Sequence, residues 1–549
     1  MTTDPRKASV QMQYGFVIDQ STCIGCHACT VACKTEHQVP LGVNRTWVKY
    51  VEQGTWPETQ RSFSVMRCNH CADAPCVTIC PTSALFKRDD GIVDFNTQSC
   101  IGCKSCMQAC PYDALYIDPN DNTAQKCNYC AHRVEVGIEP ACVVVCPEQS
   151  IIAGDLDDPT SKIARLVAEG DLTQRAVERG TQPNLWYKDA NNANIEPHGA
   201  SRSNDGGIWS DPADIEKSWL NVDLTTDDDG KRTAKSPSPT IENDAGSPRV
   251  VYSSESPIPW GWRVSTYFLT KAISAGIAIA AAMALLFGAE IESTWMRLGA
   301  PFVGAAFLLA TGVVLVWDLK RPDRFYYLLT KGNMDSWLVR GAWILTAQAL
   351  AFAMWILAAL AGVDVVTGLA IWIAAVIGLG TAGYTAFLFG QARGRELWNS
   401  STLVWHMIAA AFAVGGGVSL IGSLASPVRA AAGATTPLAS SGSVTAGASA
   451  FAWTMLLGAV GLGFVAAMEA MAKHGPNGTL AYHHMTRGEF SSQYLLGLVA
   501  AVVMPTIAAW ALLTGGGTII GALGGIAACV GVWLIDDAFV QAGQSAPLT

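Results

Sequence analysis

The run CIGCKSCMQACP, Cys100 to Pro111, decides how the first part of this chain reads. Three thiolates spaced two residues apart on a tight loop reach three corners of one iron–sulfur cubane, while a fourth, one helical turn on, points to a different cluster. Three further groups share its opening CxxC and its closing three-residue spacing, with two, four and eleven residues between their second and third cysteines. Cys23, Cys26, Cys29 and Cys33 form a first group; Cys68, Cys71, Cys76 and Cys80 stand ahead of Pro81; Cys127, Cys130, Cys142 and Cys146 stand ahead of Pro147. These groups take all but one of the 17 cysteines, and the last, Cys529, reads as a small hydrophobe in an apolar helix. Four groups predict four [4Fe–4S] clusters in two reciprocal pairs. That is more than any single one- or two-electron reaction needs, and it reads as a wire.

Two blander readings compete. Disulfides need an oxidising compartment and no fixed two-residue spacing. The N-terminal MTTDPRKASVQMQYGFVID has no apolar core after its basic start, so no signal peptide is expected. Zinc modules also use CxxC pairs, but the full run ending in Cys-Pro has no natural zinc reading. The formal net charge of -9 disfavours nucleic acid as a partner, since phosphate binding needs clustered Lys and Arg.

With 549 residues, the chain divides by composition. Residues 1–188 hold the cysteines. Residues 189–258 are rich in Asp, Asn, Ser, Pro and Gly, with TTDDDGKRTAKSPSPT at the centre, and read as a polar linker or, given Trp186, Trp209 and Trp219, a docking arm. From 259 to 540, apolar runs near 264–288, 295–317, 337–361, 365–389, 402–424, 449–471, 494–514 and 516–536 are each long enough to cross a bilayer. Residues 541–549 form a tail. The fold class expected is thus an α+β tandem bacterial-ferredoxin-like domain followed by an all-α bundle of about eight transmembrane helices.

An even number of spans returns both ends of the bundle to the side of the iron–sulfur domain. On that side fall Arg263, Lys320, Arg321, Arg324, Lys331, Arg340, Arg393, Arg395, Lys473 and Arg487, against Arg297 and Arg429 opposite. Positive loops stay in the cytoplasm, which predicts a multi-pass protein of the cytoplasmic membrane with a cytoplasmic iron–sulfur domain. The outer loop at about 425–447 is a small-residue, low-complexity excursion.

The stretches QYGFVIDQSTCIGCHACTVACK, RCNHCADAPCVTICPTSAL, CIGCKSCMQACPYDA, QKCNYCAHR and GTQPNLWYK resemble the four-cluster iron–sulfur subunit of molybdopterin oxidoreductases, as in dimethyl sulfoxide, polysulfide and thiosulfate reductases. The resemblance implies one cluster on Cys23, Cys26, Cys29 and Cys146 and another on Cys127, Cys130, Cys142 and Cys33. It puts a third on Cys68, Cys71, Cys76 and Cys110, and a fourth on Cys100, Cys103, Cys106 and Cys80. Cys103 stands where respiratory nitrate reductases carry tryptophan, which counts against that branch. In the membrane part, WGWRVSTYFLTKAISAG, WDLKRPDRFYYLLTKGNMDSWLVRGAW and YTAFLFGQARGRELWNSS resemble the quinone-interacting anchor subunit of the same complexes. The two are usually separate chains and here are fused one to one.

Ionisable groups inside a membrane are costly and so mark function. Quinone chemistry moves two protons with two electrons and needs acid–base groups beside the ring. The candidates are Tyr267, Lys271, Asp318, Arg324 and His406, with Glu396 and Glu469 on a proton path; Asp536 and Asp537 end the last helix. The blander reading has Asp318, Arg321, Asp323 and Arg324 pairing at a helix end and Lys271 snorkelling. Haem needs paired histidines on facing helices, and only His406 is intramembrane, His474, His483 and His484 falling in a loop, so no haem is expected.

The resemblance makes this chain an electron-transfer and anchor subunit, with substrate chemistry on a separate molybdopterin-containing subunit and menaquinone or ubiquinone in the membrane. A formate dehydrogenase or a reductase of sulfur or N-oxide compounds fits equally. An ion-translocating quinone-linked module is the alternative; it wants ionisable groups through the full bilayer depth, and the outer half offers Asp364. A cluster scaffold without turnover is the third class.

Overall fold

Strand Tyr14–Asp19 is buried nearly throughout and runs straight into the first cysteine loop. In the computed structural model it pairs antiparallel with Ile151–Asp155, Ile18 opposite Ile151, and parallel with Leu185–Lys188, Phe16 opposite Leu185. Because Ile151–Asp155 leaves Cys146 and Tyr14–Asp19 leads toward Cys23, antiparallel pairing alone carries Cys146 to the first loop. The hairpin Leu85–Lys87 with Val93–Phe95 does the same further on, Leu85 opposite Phe95. One arm leaves Cys80 and the other leads toward Cys100. A second hairpin, Leu115–Ile117 with Ala124–Lys126, joins Cys110 to Cys127.

The structure describes residues 12–202, 224–226, 232–234, 247–254, 258–289, 291, 293–425 and 446–549. They form two units, the second running over Ile258–Gln391 and Arg395–Ala546. Trp209, Trp219, Arg429 and most of the 425–447 loop lie outside the described residues. In the first unit the core gathers Phe16, Ile18, Val48, Val65, Tyr129, Leu185 and Tyr187 around the cysteine loops. A second sheet pairs Thr46–Gln53 with Gln60–Arg67, whose last residue precedes Cys68. Arg249–Tyr252 pairs along the free side of Thr46–Gln53, and Ser201–Arg202 lies beyond it at the sheet edge. Part of the stretch read as linker is therefore a strand of this unit, and Asn192–Ile195 is a short helix. Val250 and Tyr252 opposite Val51 and Tyr50 supply the alternating apolar positions that a polar average hides.

The second unit has, among the described residues, eight helices long and apolar enough to cross a membrane: Trp262–Leu286, Trp295–Asp318, Trp337–Leu360, Asp364–Gly390, Leu403–Leu424, Gly447–Met471, Ser491–Leu513 and Thr518–Ser545. The fifth packs at the centre through three consecutive glycines. Steps of about 100° per residue turn them to three neighbours. A Cβ on Gly415 would meet the backbone of Gly276 in the first helix, on Gly416 that of Met455 in the sixth, and on Gly417 that of Gly525 in the eighth. Small residues let helix backbones close in where lipid offers no hydrophobic drive.

Two expectations shift. His483 and His484 belong to a helix, Pro476–Thr486, not to a loop. The last helix runs on to Ser545, so that Asp536 and Asp537 lie inside it. Their carboxylates are met there: Asp536 by His406 at 2.8 Å, and Asp537 by Ser265 at 2.8 Å and Gln493 at 2.9 Å.

Candidate functional site

Each CxxC loop turns on a residue at positive φ in the same place: Gly25 at 69°, His70 at 43°, Gly102 at 67° and Tyr129 at 61°. Glycine takes that conformation without strain, and the other two are held by side-chain bonds. Tyr129 Oη donates to the Gly15 carbonyl at 2.6 Å and accepts from Gly154 N at 3.0 Å. His70 Nδ1 accepts from Val93 N at 3.2 Å.

These turns bring the sixteen cysteines into four cages. Cys23, Cys26, Cys29 and Cys146 line a cleft of about 330 Å³. Cys68, Cys71, Cys76 and Cys110 line one of about 310 Å³. Cys80, Cys100, Cys103 and Cys106 line one of about 370 Å³. In the fourth cage Cys33 lies in the field of Cys127 and Cys142, as does Cys130. Among the described residues no three His, Cys, Asp or Glu converge on a single metal ion; the thiols instead surround a space. The donor set is all sulfur, the soft set iron–sulfur clusters take. Burial pushes Cys29, Cys103, Cys110 and Cys130 up to about 12, so without a bound cation they are neutral thiols. A coordinating metal reverses that and deprotonates them. The residues fit iron–sulfur clusters.

The cages stand in a row. Cys29 of the Cys23 cage bears on Cys142, Cys127 bears on Cys68, and Cys76 bears on Cys106 of the Cys100 cage. Polar groups that cysteine spacing did not reveal lie against the cage of Cys33, Cys127, Cys130 and Cys142. Arg67 Nη1 donates to Cys142 Sγ at 3.2 Å, and His37 Nε2 is 3.1 Å from Cys130 Sγ. Burial first, then Arg45, holds His37 down at about 4, a neutral imidazole. Lys126 Nζ donates to the Cys127 carbonyl at 2.8 Å.

In the membrane unit the expected groups fall into two sets. Lys271, 1 % exposed, does not snorkel: Nζ donates to the Ala382 carbonyl at 3.1 Å and to the Thr385 hydroxyl, 4.8 Å from the centre of the Tyr384 ring. Tyr267 is buried beside it, its ring 6.0 Å away. Asp318 ends the second helix, and Arg324 lies 3.7 Å from Asp323, which also pairs with Arg321 at 3.0 Å.

The other set lines a cleft of about 500 Å³ among the last four spans, with His406, Glu469, Tyr494, Ser400 and Thr402 on its wall. Ser400 donates to Glu469 Oε2 at 2.7 Å, as does Thr402, while Glu469 Oε1 is 3.5 Å from His474. Glu396 accepts from Gly478 N at 2.5 Å, at the start of Pro476–Thr486. Toward the opposite ends of the helices, Asp364 lies 3.7 Å from Arg297. Thr385, Tyr384, Ser400, Thr402 and Tyr494 are neutral and gave no signal of charge in an apolar run.

Thiol cages in this strand-and-loop frame, continued among the described residues into eight helices long and apolar enough to cross a membrane, define a multi-pass membrane iron–sulfur protein of electron transfer. Residues 59–156 match the 4Fe-4S dicluster domain, and residues 250–546 match polysulphide reductase NrfD. The protein belongs to the NrfD family and carries a 4Fe-4S dicluster domain ahead of its membrane helices. It is 40% identical over 206 residues to a putative dimethyl sulfoxide reductase iron-sulfur subunit of Halobacterium salinarum, covering 32% of this chain and 78% of that one. It is 40% identical over 187 residues to a polysulfide reductase chain of Wolinella succinogenes, covering 34% of this chain and 98% of that one. Protein NrfC of Escherichia coli is 42% identical over 178 residues, covering 32% of this chain and 80% of NrfC.

Proposed function

We propose that this chain is the electron-transfer and anchor subunit of a respiratory complex, exchanging electrons between a separate molybdopterin-containing subunit and menaquinone or ubiquinone through four [4Fe–4S] clusters. The observation that carries this reading is the row of four cages, neighbour facing neighbour, in one chain with buried acid–base groups among its membrane helices. The names of relatives support the partner: one is a chain of polysulfide reductase and another a subunit of tetrathionate reductase.

When bound, each cluster supplies a one-electron store. Cys23, Cys26, Cys29 and Cys146 hold one; Cys33, Cys127, Cys130 and Cys142 the next; Cys68, Cys71, Cys76 and Cys110 the third; Cys80, Cys100, Cys103 and Cys106 the fourth. Reducing a quinone takes two electrons and two protons, and oxidising a quinol returns them. Lys271, Tyr267 and His406 offer hydrogen bonds to the quinone oxygens, and Asp318 and Arg324 flank them. Asp536 fixes the His406 ring through one nitrogen, 2.8 Å away. Glu469, held by two hydroxyls in the cleft that His406 also lines, takes protons onward, and Glu396 beyond His474 completes the path. The positive loops support placement in the cytoplasmic membrane with the iron–sulfur unit in the cytoplasm. Protease outside right-side-out vesicles is expected to spare that unit, and cleavage there overturns the placement.

The test uses the full chain in detergent, reduced with dithionite and mixed with a menaquinone analogue under low-temperature EPR. The expected result is on the order of sixteen irons per chain, four per cluster, with signals that vanish on quinone addition. Full clusters indifferent to quinone overturn the quinone reading. Quinol-dependent cluster reduction at the unsubstituted rate in both Lys271→Met and His406→Ala sinks the site.

A further inference from the structure

Two fully buried cations stand at the joints of the row and have no part in ligation. Arg67 is 0% exposed; Nη1 donates to Cys142 Sγ at 3.2 Å, and the guanidinium lies 4.4 Å over the Phe16 ring. Its Nε and Nη2 donate to nothing among the described residues. Its charge bears on Cys29 of the Cys23 cage and on Cys127 and Cys142 of the next. Lys126 is 0% exposed as well. Its Nζ donates to the carbonyls of Cys127, at 2.8 Å, and Val93, and its charge bears on Cys68 and Cys76 of the third cage.

A guanidinium taken out of water with two idle nitrogens is tolerated only opposite a buried negative charge. Among the described residues the groups set against Arg67 are cysteine sulfurs and an aromatic face, not a carboxylate. Four thiolates on an iron–sulfur core supply that charge, and the charge they present grows by one when the core takes an electron. A fixed cation at a joint therefore favours the reduced form on both sides of it, and in a poorly screened interior that preference is strong.

We propose that Arg67 and Lys126 are potential-setting residues shared between neighbouring clusters: Arg67 raises the reduction potentials of the Cys23 and Cys127 clusters, and Lys126 those of the Cys127 and Cys68 clusters. The Cys127 cluster is the one both act on, and the Cys100 cluster lies beyond both. Each event is a one-electron reduction without proton transfer, the electron coming from the neighbouring site. The inference rests on the four-cage reading given above.

The experiment is an EPR-monitored redox titration of the full chain in detergent, with iron counted in every sample. Arg67→Met is expected to move two signals to lower potential, each by at least a tenfold change in the oxidised-to-reduced ratio at fixed potential, which is 59 mV for one electron. Arg67→Lys, which keeps the charge, is expected to move them by less than about a third of that. Lys126→Met is expected to move two signals, one and only one of them shared with Arg67→Met, and one signal stays put in both. Unmoved signals at full iron content, upward shifts, or two pairs with no member in common overturn the proposal. If Arg67→Met loses iron while Arg67→Lys keeps it, the Lys126→Met titration decides: two lowered signals support the proposal and none refutes it. A wild-type chain with fewer than four clusters defeats the four-cage reading instead, before any variant is compared.

Discussion

The two units solve opposite problems. The iron–sulfur unit is built from strands of two to eight residues and helices of four to ten, elements too short to be stable alone, tied by thiols from distant parts of the chain. The membrane unit is built on spans of 22 to 28 residues that satisfy their own backbones and need only fit together. In the first, order depends on what the side chains bind. In the second, it depends on how little side chain there is, as at Gly415, Gly416 and Gly417.

Stripping the iron breaks this comparison most sharply. Cages lined by neutral, buried thiols leave holes and, at Arg67, an uncompensated charge. Metal-binding energy is folding energy in such sites. Anaerobic chelation is expected to abolish the near-ultraviolet signature of the first unit and open it to protease while the helical far-ultraviolet signal of the spans persists. A protease-resistant iron-free unit counts against metal-dependent order. Gly415→Leu is the converse. Its side chain has no room against Gly276 in the first helix. The expected outcome is little or no detergent-stable full-length protein, whereas Gly390→Leu, with open space around it, accumulates normally.

What the sequence showed of each unit follows the same division. The cysteine groups were legible because ligand spacing is local and repeats four times, and the backbone repeats with it in the positive-φ turns at Gly25, His70, Gly102 and Tyr129. The joint cations were not, since Arg67 reaches Cys142 across 75 positions and no spacing rule ties an arginine to a cysteine. Helix positions were legible from hydropathy, but the end of the last one was not. Two adjacent carboxylates look like a boundary in an apolar run; Asp536 and Asp537 pass through because His406, 130 positions away, and Ser265 and Gln493 meet them. Lys271 was flagged by charge alone, and its partners Thr385 and Tyr384 only by packing.

A smaller effect sharpens the account of the first unit. Tyr129 Oη bridges Gly15 and Gly154, which face each other across the antiparallel pair that carries Cys146 to Cys23. Tyr129→Phe keeps the ring and orphans a buried carbonyl and amide, a cost of about 1–3 kcal/mol. In a unit of this size that is roughly 2–4 °C in melting temperature per kcal/mol. Melting followed by the cluster absorbance is expected to fall by that amount at unchanged iron content. An unchanged midpoint means strand pairing alone holds the two loops together.

The finest contrast lies in four residues after the second span. Arg321 and Arg324 both reach Asp323, at 3.0 and 3.7 Å, but the Arg321 side chain is 30% exposed and that of Arg324 13%. An exposed ion pair loses its Coulomb energy to water and salt, so Arg321→Gln is expected to change neither melting nor quinone turnover measurably. Arg324, more enclosed and proposed to flank the quinone, gives a charge-assisted hydrogen bond where water competes less. Arg324→Gln is expected to slow quinone-dependent cluster reoxidation by about tenfold at unchanged iron content, the size of one such bond. The comparison is decisive because both substitutions remove one positive charge from the same short turn. Equal losses reduce Arg324 to a contributor to the general field of the loop, and a loss confined to Arg324 marks it as the group the quinone meets.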